Sequence, residues 1–145
     1  MAYTFQVAID CAGPHALADW WAEAIGWTVE PTDEAFIRRM IAEGQATEAD
    51  TTTHREQLVW REGAAIRHSD ASESAAGGRI LFQLVPEPKT AKNRVHLDIR
   101  VGPDKVEAES TRLQSIGATF LHRGQQGPHG WVTLADPEGN ELCLT

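Results

Sequence analysis

Two stretches of alternating apolar and polar residues predict half-buried strands, one in each half of the chain. The first covers residues 4–10 and the second residues 94–101. Successive side chains of a strand point to opposite faces, so alternation predicts one buried and one polar face. The apolar faces would hold Phe5, Val7 and Ile9 in the first strand and Val95, Leu97, Ile99 and Val101 in the second.

Each of these strands is followed by a segment with helical spacing of apolar residues. Gly13-Pro14 precedes the first segment and Gly102-Pro103 the second, and proline is well tolerated at the first helical position. Gly26 and Gly117 stand where the helices should end, because glycine readily takes the left-handed cap conformation. The expected buried stripes are Leu17, Trp20, Trp21, Ala24 and Ile25, and Val106, Ser110, Leu113 and Ile116.

The two halves of the chain match one another. Ile25-Gly26 corresponds to Ile116-Gly117, and Gln6 corresponds to His96 if one extra turn residue is allowed. Such self-similarity indicates a duplicated supersecondary unit. The remaining strands are expected at 27–29, 57–60 and 80–85 in the first half, and at 118–121, 131–134 and 141–144 in the second.

The predicted fold class is therefore α+β, with two βαβββ modules in a single domain of residues 1–145. Module one covers residues 1–85, a polar linker covers 86–93, and module two covers 94–145. An extra helix and polar loop are expected near 33–53, and a loop rich in Ser, Ala and Gly at 69–78. Either insertion could cap a cleft or simply elaborate the surface.

Composition excludes several classes of function. The net charge of −8 argues against a nucleic-acid partner and favours cationic ligands. No apolar run reaches the roughly 20 residues of a membrane-spanning helix, and the first residues lack the features of a secretory signal. The expected location is therefore cytoplasmic, where the two cysteines would be thiols.

The end of the chain predicts a turn followed by a strand with one polar and one apolar face. Asp136-Pro137-Glu138-Gly139-Asn140 predicts a tight turn, and the following strand places Glu141 and Cys143 on one face. If this strand shares a sheet with residues 94–101, His96 and Cys143 face one cavity.

Three motifs together resemble the vicinal oxygen chelate superfamily, and within it the glyoxalase-like domain proteins. They are the first-half run from Asp10 to Trp27, the central Lys92–Asp98 run, and the closing Asp136–Cys143 run. The resemblance covers nearly the whole chain except residues 33–53. It implies a curved mixed sheet around a cleft, with helices on the outer face. The superfamily includes glyoxalase I, extradiol dioxygenases, fosfomycin-inactivating transferases and bleomycin-sequestering proteins.

The resemblance also implies a divalent metal that chelates two neighbouring substrate oxygens. Its ligand positions correspond to Gln6, Gln83, His96 and Cys143. Two amides, an imidazole and a thiol suit hard ions poorly, because those ions prefer anionic oxygen ligands. We therefore expect no metal cofactor; zinc on Cys143 and His96 is the alternative. Glu141 lies about 6–7 Å along the strand from Cys143, which favours a place at the cleft mouth or in the turn.

Ionisable side chains near His96 have both structural and functional interpretations. Asp98 and Arg100 share its strand face, and the three side chains are expected to pair with one another or with a ligand. Asp10 on the first strand is a further expected partner for Arg100. Cys143 is either a small buried filler or a ligand, and Trp131 either core or cleft wall. The candidate ligand-cleft residues are Gln6, Asp10, Gln83, His96, Asp98, Arg100, Trp131, Glu141 and Cys143.

The sequence predicts a protein that binds a small organic ligand, similar to bleomycin-resistance proteins. Five tryptophans could stack a flat ligand. Whether a reaction occurs is open: a glyoxalase-type lyase or isomerase, metal-dependent or with His96 as acid and base, is the alternative. A dioxygenase is disfavoured because only one expected histidine ligand is present, and a purely structural module is disfavoured by the polar strand faces. A homodimer is expected to be possible.

Overall fold

A computed structural model describes Met1, residues 3–69 and residues 78–145. The chain divides into two compact units, unit 1 (Met1–Pro88) and unit 2 (Lys89–Thr145). The expected Ser/Ala/Gly-rich loop at 69–78 lies outside the described residues except for its two ends. Among the described residues, no helix is both long and apolar enough to cross a membrane.

Unit 1 contains a four-stranded sheet, a long helix and an additional helix–hairpin segment. Its elements are β1 Val7–Cys11, α1 Pro14–Ile25, β2 Thr28–Val29, α2 Glu34–Ala42, a 3₁₀ turn Glu48–Asp50, β3 Thr51–His54, β4 Gln57–Trp60, β5 Gly63–Arg67 and β6 Arg79–Leu84. The sheet order is β1-β6-β5-β2, and only the β1–β6 pair is parallel.

The structure corrects two strand predictions in unit 1. The strand at Gln57–Trp60 exists, but it pairs with Thr51–His54 in a separate hairpin, in a region expected to be a loop. The place in the sheet is taken by Gly63–Arg67, which the sequence pattern did not predict. This strand is rich in glycine and alanine, which have low β-propensity. It forms because it is hydrogen-bonded to a neighbouring strand on each side.

Unit 2 is a shorter version of the same arrangement. Its elements are β7 Leu97–Ile99, a 3₁₀ turn Pro103–Lys105, α3 Val106–Ser115, β8 Thr119–Gln126, β9 His129–Ala135 and β10 Glu141–Leu144. The order β7-β10-β9-β8, with β7 and β10 parallel, repeats that of unit 1 strand for strand. The predicted duplicated α+β module is therefore confirmed.

The apolar helix stripes form the core of each unit. In unit 1, α1 packs on β5 and β6, and Trp21 and Phe82 are fully buried. In unit 2, α3 packs on β9 and buries Val106 and Leu113. Burying such side chains contributes about 1.5–3 kcal/mol each to folding.

The alternating strands are shorter than predicted. The first begins at Val7 rather than Thr4, and the second spans only Leu97–Ile99. Phe5 and Val95, expected in the buried faces, are exposed. Alternation alone does not set the ends of a strand, because those depend on where partner strands supply hydrogen bonds.

An ion-pair network runs across one end of the unit 1 sheet. The Glu30 carboxylate accepts hydrogen bonds from Arg79 and Arg67, and Arg79 Nη1 also donates to Gln6 Oε1 at 2.7 Å. The hydrogen bonds from Arg79, followed by those from Arg67, outweigh the effect of burial and hold the pKa of Glu30 below its ordinary value.

Candidate functional site

The register of β7 and β10 brings three potential metal-binding side chains together in unit 2. Cys143 pairs directly with Asp98 across the two parallel strands. His96 lies two residues before Asp98, so it projects to the same face. One donor atom from each of the three residues lies within 4.8 Å of the others, and His96 Nε2 is 3.2 Å from Asp98 Oδ1. We call these residues the donor triad.

The donor triad differs in exposure between its members. The His96 and Asp98 side chains are 41% and 57% exposed. Cys143 is buried, and its Sγ lies 3.4 Å from Thr133 Oγ1 on the neighbouring strand β9. The thiol is thus held in place by the sheet, while the imidazole and the carboxylate can still change rotamer.

A cavity of about 310 Å³ opens beside the donor triad. It belongs to unit 2, and side chains of β7, β8, β9 and β10 contribute to its lining. The residues that line it are Lys92, His96, Asp98, His122, Trp131, Thr133, Glu141, Cys143 and Thr145. A cavity of this size is at the lower end of the roughly 300–1,000 Å³ typical of small-molecule sites.

Trp131 forms part of the cavity wall because its cross-strand partner is a glycine. Trp131 on β9 pairs with Gly124 on β8, and a Cβ atom at position 124 would overlap the indole ring. The ring therefore packs directly over the backbone of Gly124, an arrangement that supports the exposed edge strand β8. Trp131 is half-buried, with one surface left toward the cavity.

The turn before β10 is built around Asp136. This buried carboxylate accepts hydrogen bonds from the backbone N–H groups of Glu138 and Asn140, and from Asn140 Nδ2. Gly139 follows with a φ of 90°, a conformation that favours glycine. The turn delivers β10, and with it Cys143, in a defined register.

Glu141 is held by the segment that begins unit 2. Its carboxylate accepts hydrogen bonds from Lys89 Nζ at 3.0 Å and from the backbone N–H of Asn93 at 3.1 Å. Burial raises the pKa of Glu141, but the hydrogen bond from Lys89, aided by backbone N–H groups, outweighs burial and leaves the pKa below its ordinary value. Glu141 therefore lines the cavity as an ionised carboxylate that already accepts hydrogen bonds from Lys89 and Asn93.

Three of the sequence-predicted site residues lie in unit 1. Gln83 is on β6, opposite Asp10 on β1, and both side chains are exposed. Gln6 is also exposed and accepts a hydrogen bond from Arg79. Arg100, in unit 2, follows β7 and is exposed.

The donor set does not fit the hard divalent ion that the resemblance implied. None of Gln6, Gln83, His96 and Cys143 carries a carboxylate. The Gln6 amide oxygen, which would have to bind the ion, accepts a hydrogen bond from the cationic Arg79 guanidinium instead. Magnesium and manganese prefer anionic oxygen ligands, and these four residues offer none.

Four residues that line the cavity were not predicted from the sequence: Lys92, His122, Thr133 and Thr145. Residues 124–130 are rich in glycine and show no strand pattern, yet β8 extends to Gln126 and β9 starts at His129. Alternation continued past Phe120 would have placed His122 on a strand. The pairing register shifts between Phe120 and His122, and that shift has no sequence signature.

Comparison with known proteins agrees with this architecture. The glyoxalase-like domain family matches residues 6–145, so the chain belongs to this family. No curated protein matches the chain.

Solved structures with the same fold have widely different sequences. A glyoxalase/bleomycin resistance protein/dioxygenase family enzyme from Burkholderia phytofirmans is 13% identical, with a TM-score of 0.62 and coverage of 96% of this chain and 94% of its own. The fosfomycin resistance protein FosX from Listeria monocytogenes is 7% identical, with a TM-score of 0.62 and coverage of 99% and 92%. The bleomycin-binding protein from Streptomyces verticillus, complexed with copper(II)-bleomycin, is 16% identical, with a TM-score of 0.56 and coverage of 100% and 96%. Identity this low supports the fold alone.

Proposed function

We propose that the chain binds a small organic ligand in the unit 2 cavity, and that binding does not need the hard divalent ion usual in this superfamily. The observation that carries the proposal is the cavity of about 310 Å³ beside Trp131 and the donor triad. An aromatic wall with a few polar groups at one side is typical of small-molecule sites.

The chemistry of the cavity favours a flat ligand with a cationic or hydrogen-bonding group. The Trp131 indole offers a surface for stacking, and the Asp98 carboxylate is more than half exposed beside it. An aromatic contact of this kind contributes about 0.5–1.5 kcal/mol beyond the area it buries. The fold neighbours include a protein that binds bleomycin, which is consistent with sequestration of an organic compound.

Titration of the chelator-treated protein with aromatic cations tests the proposal. We expect saturable quenching of tryptophan fluorescence by at least one compound, and a 1:1 complex by calorimetry. Trp131→Phe keeps a smaller aromatic ring, so it should lose only part of the stacking contribution and raise the Kd roughly two- to threefold.

Trp27→Phe is the matched control, because Trp27 is a half-buried tryptophan of unit 1 that contacts His68. It should leave the calorimetric Kd unchanged. Absence of saturable binding across the panel, or equal Kd values for wild type and Trp131→Phe, would contradict the proposal.

Acid–base catalysis of the lyase or isomerase kind is the second candidate function. His96 Nε2 lies 3.2 Å from the Asp98 carboxylate at the side of the cavity, an arrangement that can orient an imidazole for proton transfer. The test is exchange of solvent deuterium into the carbon next to the carbonyl of small hydroxycarbonyl compounds. Exchange that His96→Gln abolishes would support catalysis, and no exchange above the buffer rate would exclude it for these compounds.

A further inference from the structure

We infer that Lys92 binds an anionic group of the ligand, so that the unit 2 cavity selects aromatic compounds that carry a carboxylate as well as a cationic group. This inference rests on the proposed function and deepens it, because it adds a second charged group to the ligand and names the residue that binds it.

Lys92 is a cation of the cavity lining that has no anionic partner in the part of the chain that the structure describes. Its ammonium group donates to the backbone carbonyl oxygen of Asn93 at 3.0 Å. The nearby Lys89 differs, because its ammonium group pairs with the Glu141 carboxylate at 3.0 Å. An ammonium group has three N–H donors, so two of those on Lys92 remain for solvent or a ligand.

The backbone next to Lys92 is fixed to the start of β10. The Asn93 backbone N–H donates to Glu141 Oε2 at 3.1 Å, and Asn93 Nδ2 donates to Asn140 Oδ1 at 2.9 Å. These contacts hold the segment that carries Lys92 beside the cavity, although the lysine side chain itself is exposed. A fixed backbone lowers the entropy that is lost when the side chain binds a ligand.

Lys92 and Asp98 place opposite charges at two different positions along β10. Asn93, the neighbour of Lys92, contacts the start of this strand, whereas Asp98 pairs with Cys143 two residues further on. Two strand residues span about 6–7 Å, so the two backbone positions are offset by roughly the length of a benzene ring with its substituents. A cavity of about 150 Å³ already holds benzene, and this one measures about 310 Å³.

The two charged residues favour different groups on a ligand. The Asp98 carboxylate, which is more than half exposed, attracts a cationic group, whereas Lys92 repels that group and attracts an anion. A compound with both charges can pair with both residues, and a simple cation leaves Lys92 without a partner. The net charge of −8 disfavours a ligand that is only anionic. The favoured class is therefore an aromatic zwitterion.

Calorimetric titration of the chelator-treated protein with a matched pair of compounds tests the inference. The compound 4-(aminomethyl)benzoate carries an ammonium group and a carboxylate at opposite ends of a benzene ring. In 4-methylbenzylamine a methyl group replaces the carboxylate. We expect the first compound to bind about two- to fivefold more tightly than the second, which is the contribution of one ion pair with an exposed side chain.

Variants assign this difference in Kd to Lys92. Lys92→Gln should abolish the difference, and Lys92→Arg, which keeps the positive charge, should retain it. Lys105→Gln is the matched control, because it removes the same charge from an exposed position in the 3₁₀ turn of unit 2 that does not line the cavity. Asp98→Asn should weaken the binding of both compounds and leave the difference between them. Circular dichroism checks that each variant is folded.

The failure of this inference can be distinguished from failure of the proposed function. Equal Kd values for the two compounds in the wild-type protein would overturn the inference alone, as would a difference that persists in Lys92→Gln. A difference that is also lost in Lys105→Gln would overturn it too, because the overall charge would then be its cause. If neither compound binds while another aromatic cation does, the inference again fails by itself. If no aromatic compound binds, the proposed function fails and the inference fails with it.

Discussion

At the residue scale, position 124 must be glycine because the Trp131 indole lies over its backbone. The backbone conformation there does not itself require glycine. The Trp131 indole occupies the space where a side chain at position 124 would begin. The wall of the cavity therefore depends on a residue that contributes no side chain to it.

Gly124→Ala should displace the indole of Trp131 and destabilise the protein by about 1–3 kcal/mol, the usual cost of forcing extra volume into a packed site. Urea unfolding gives the stability change, and the tryptophan emission maximum reports the ring. Gly130→Ala is the control, since its Cβ would have only the Gly124 carbonyl oxygen as a neighbour, at 3.8 Å. Equal unfolding midpoints for the two variants would contradict this account.

Asp136 determines the turn that positions β10. Asp136→Asn should destabilise the protein by about 1–3 kcal/mol, because its amide N–H group would face the Asn140 side-chain donor in place of an acceptor. Thermal unfolding measures the loss. Asp104→Asn, at an exposed acid in the 3₁₀ turn of unit 2, should change stability by no more than about 0.5 kcal/mol. A normal melting temperature for Asp136→Asn would refute this role.

At the element scale, Glu141 ties the segment before β7 to the last strand. Lys89 and Asn93 donate to its carboxylate, and Asn93 Nδ2 also donates to Asn140 Oδ1. This places Glu141 in a structural contact as well as at the cavity.

The lowered pKa of Glu141 predicts a pH-dependent contribution to stability. A carboxyl group with a depressed folded-state pKa stabilises the fold above its unfolded value, near 4.5, and loses that contribution as the pH falls through the folded-state pKa. Glu141→Gln should therefore be less stable than wild type at pH 7 and nearly equal to it well below pH 4. Urea midpoints at the two pH values measure this. A difference that stays constant with pH would argue against the ionised contact.

The elements that the sequence predicted correctly have strong local signals. Pro14 and Gly26 border α1, and the buried stripe of α3 has helical spacing. The elements that were missed, β3 and β5, lack such signals, and the ends of β8 and β9 lie in a polar, glycine-containing run. These strands exist because neighbouring strands pair with them, and that pairing cannot be read from a single segment.

At the scale of the whole molecule, the sheet order is duplicated and the chain carries a net charge of −8. An acidic surface attracts cationic ligands, and salt screens that attraction over about 8–10 Å. The net charge therefore predicts that a cationic ligand binds more tightly than a neutral ligand of similar shape.

For an aromatic cation that binds the unit 2 cavity, we expect affinity to fall as salt is raised from about 0.02 to 0.5 M. A neutral compound of the same shape should show little change. Calorimetric titration at the two salt concentrations checks this. Equal salt dependence for both compounds would show that the overall charge does not steer binding.

The expected homodimer stays a prediction. A two-fold dimer would have twice the 15.9 kDa mass of the chain, which light scattering measures directly. A monomer mass across the concentration range would exclude a stable dimer.

By itself, the sequence determined the duplicated βαβββ pattern, the family, and the absence of carboxylates at the four positions implied by the resemblance. These follow from local periodicity, turn residues and residue identity, which need no knowledge of distant contacts. Only the tertiary structure decided that Asp98 pairs in register with Cys143, that Gly124 lies under Trp131, and that Glu141 is already bound to Lys89. The reason is physical: each depends on how separate strands align, and alignment is set by hydrogen bonding and packing across the sheet rather than by neighbours in the chain.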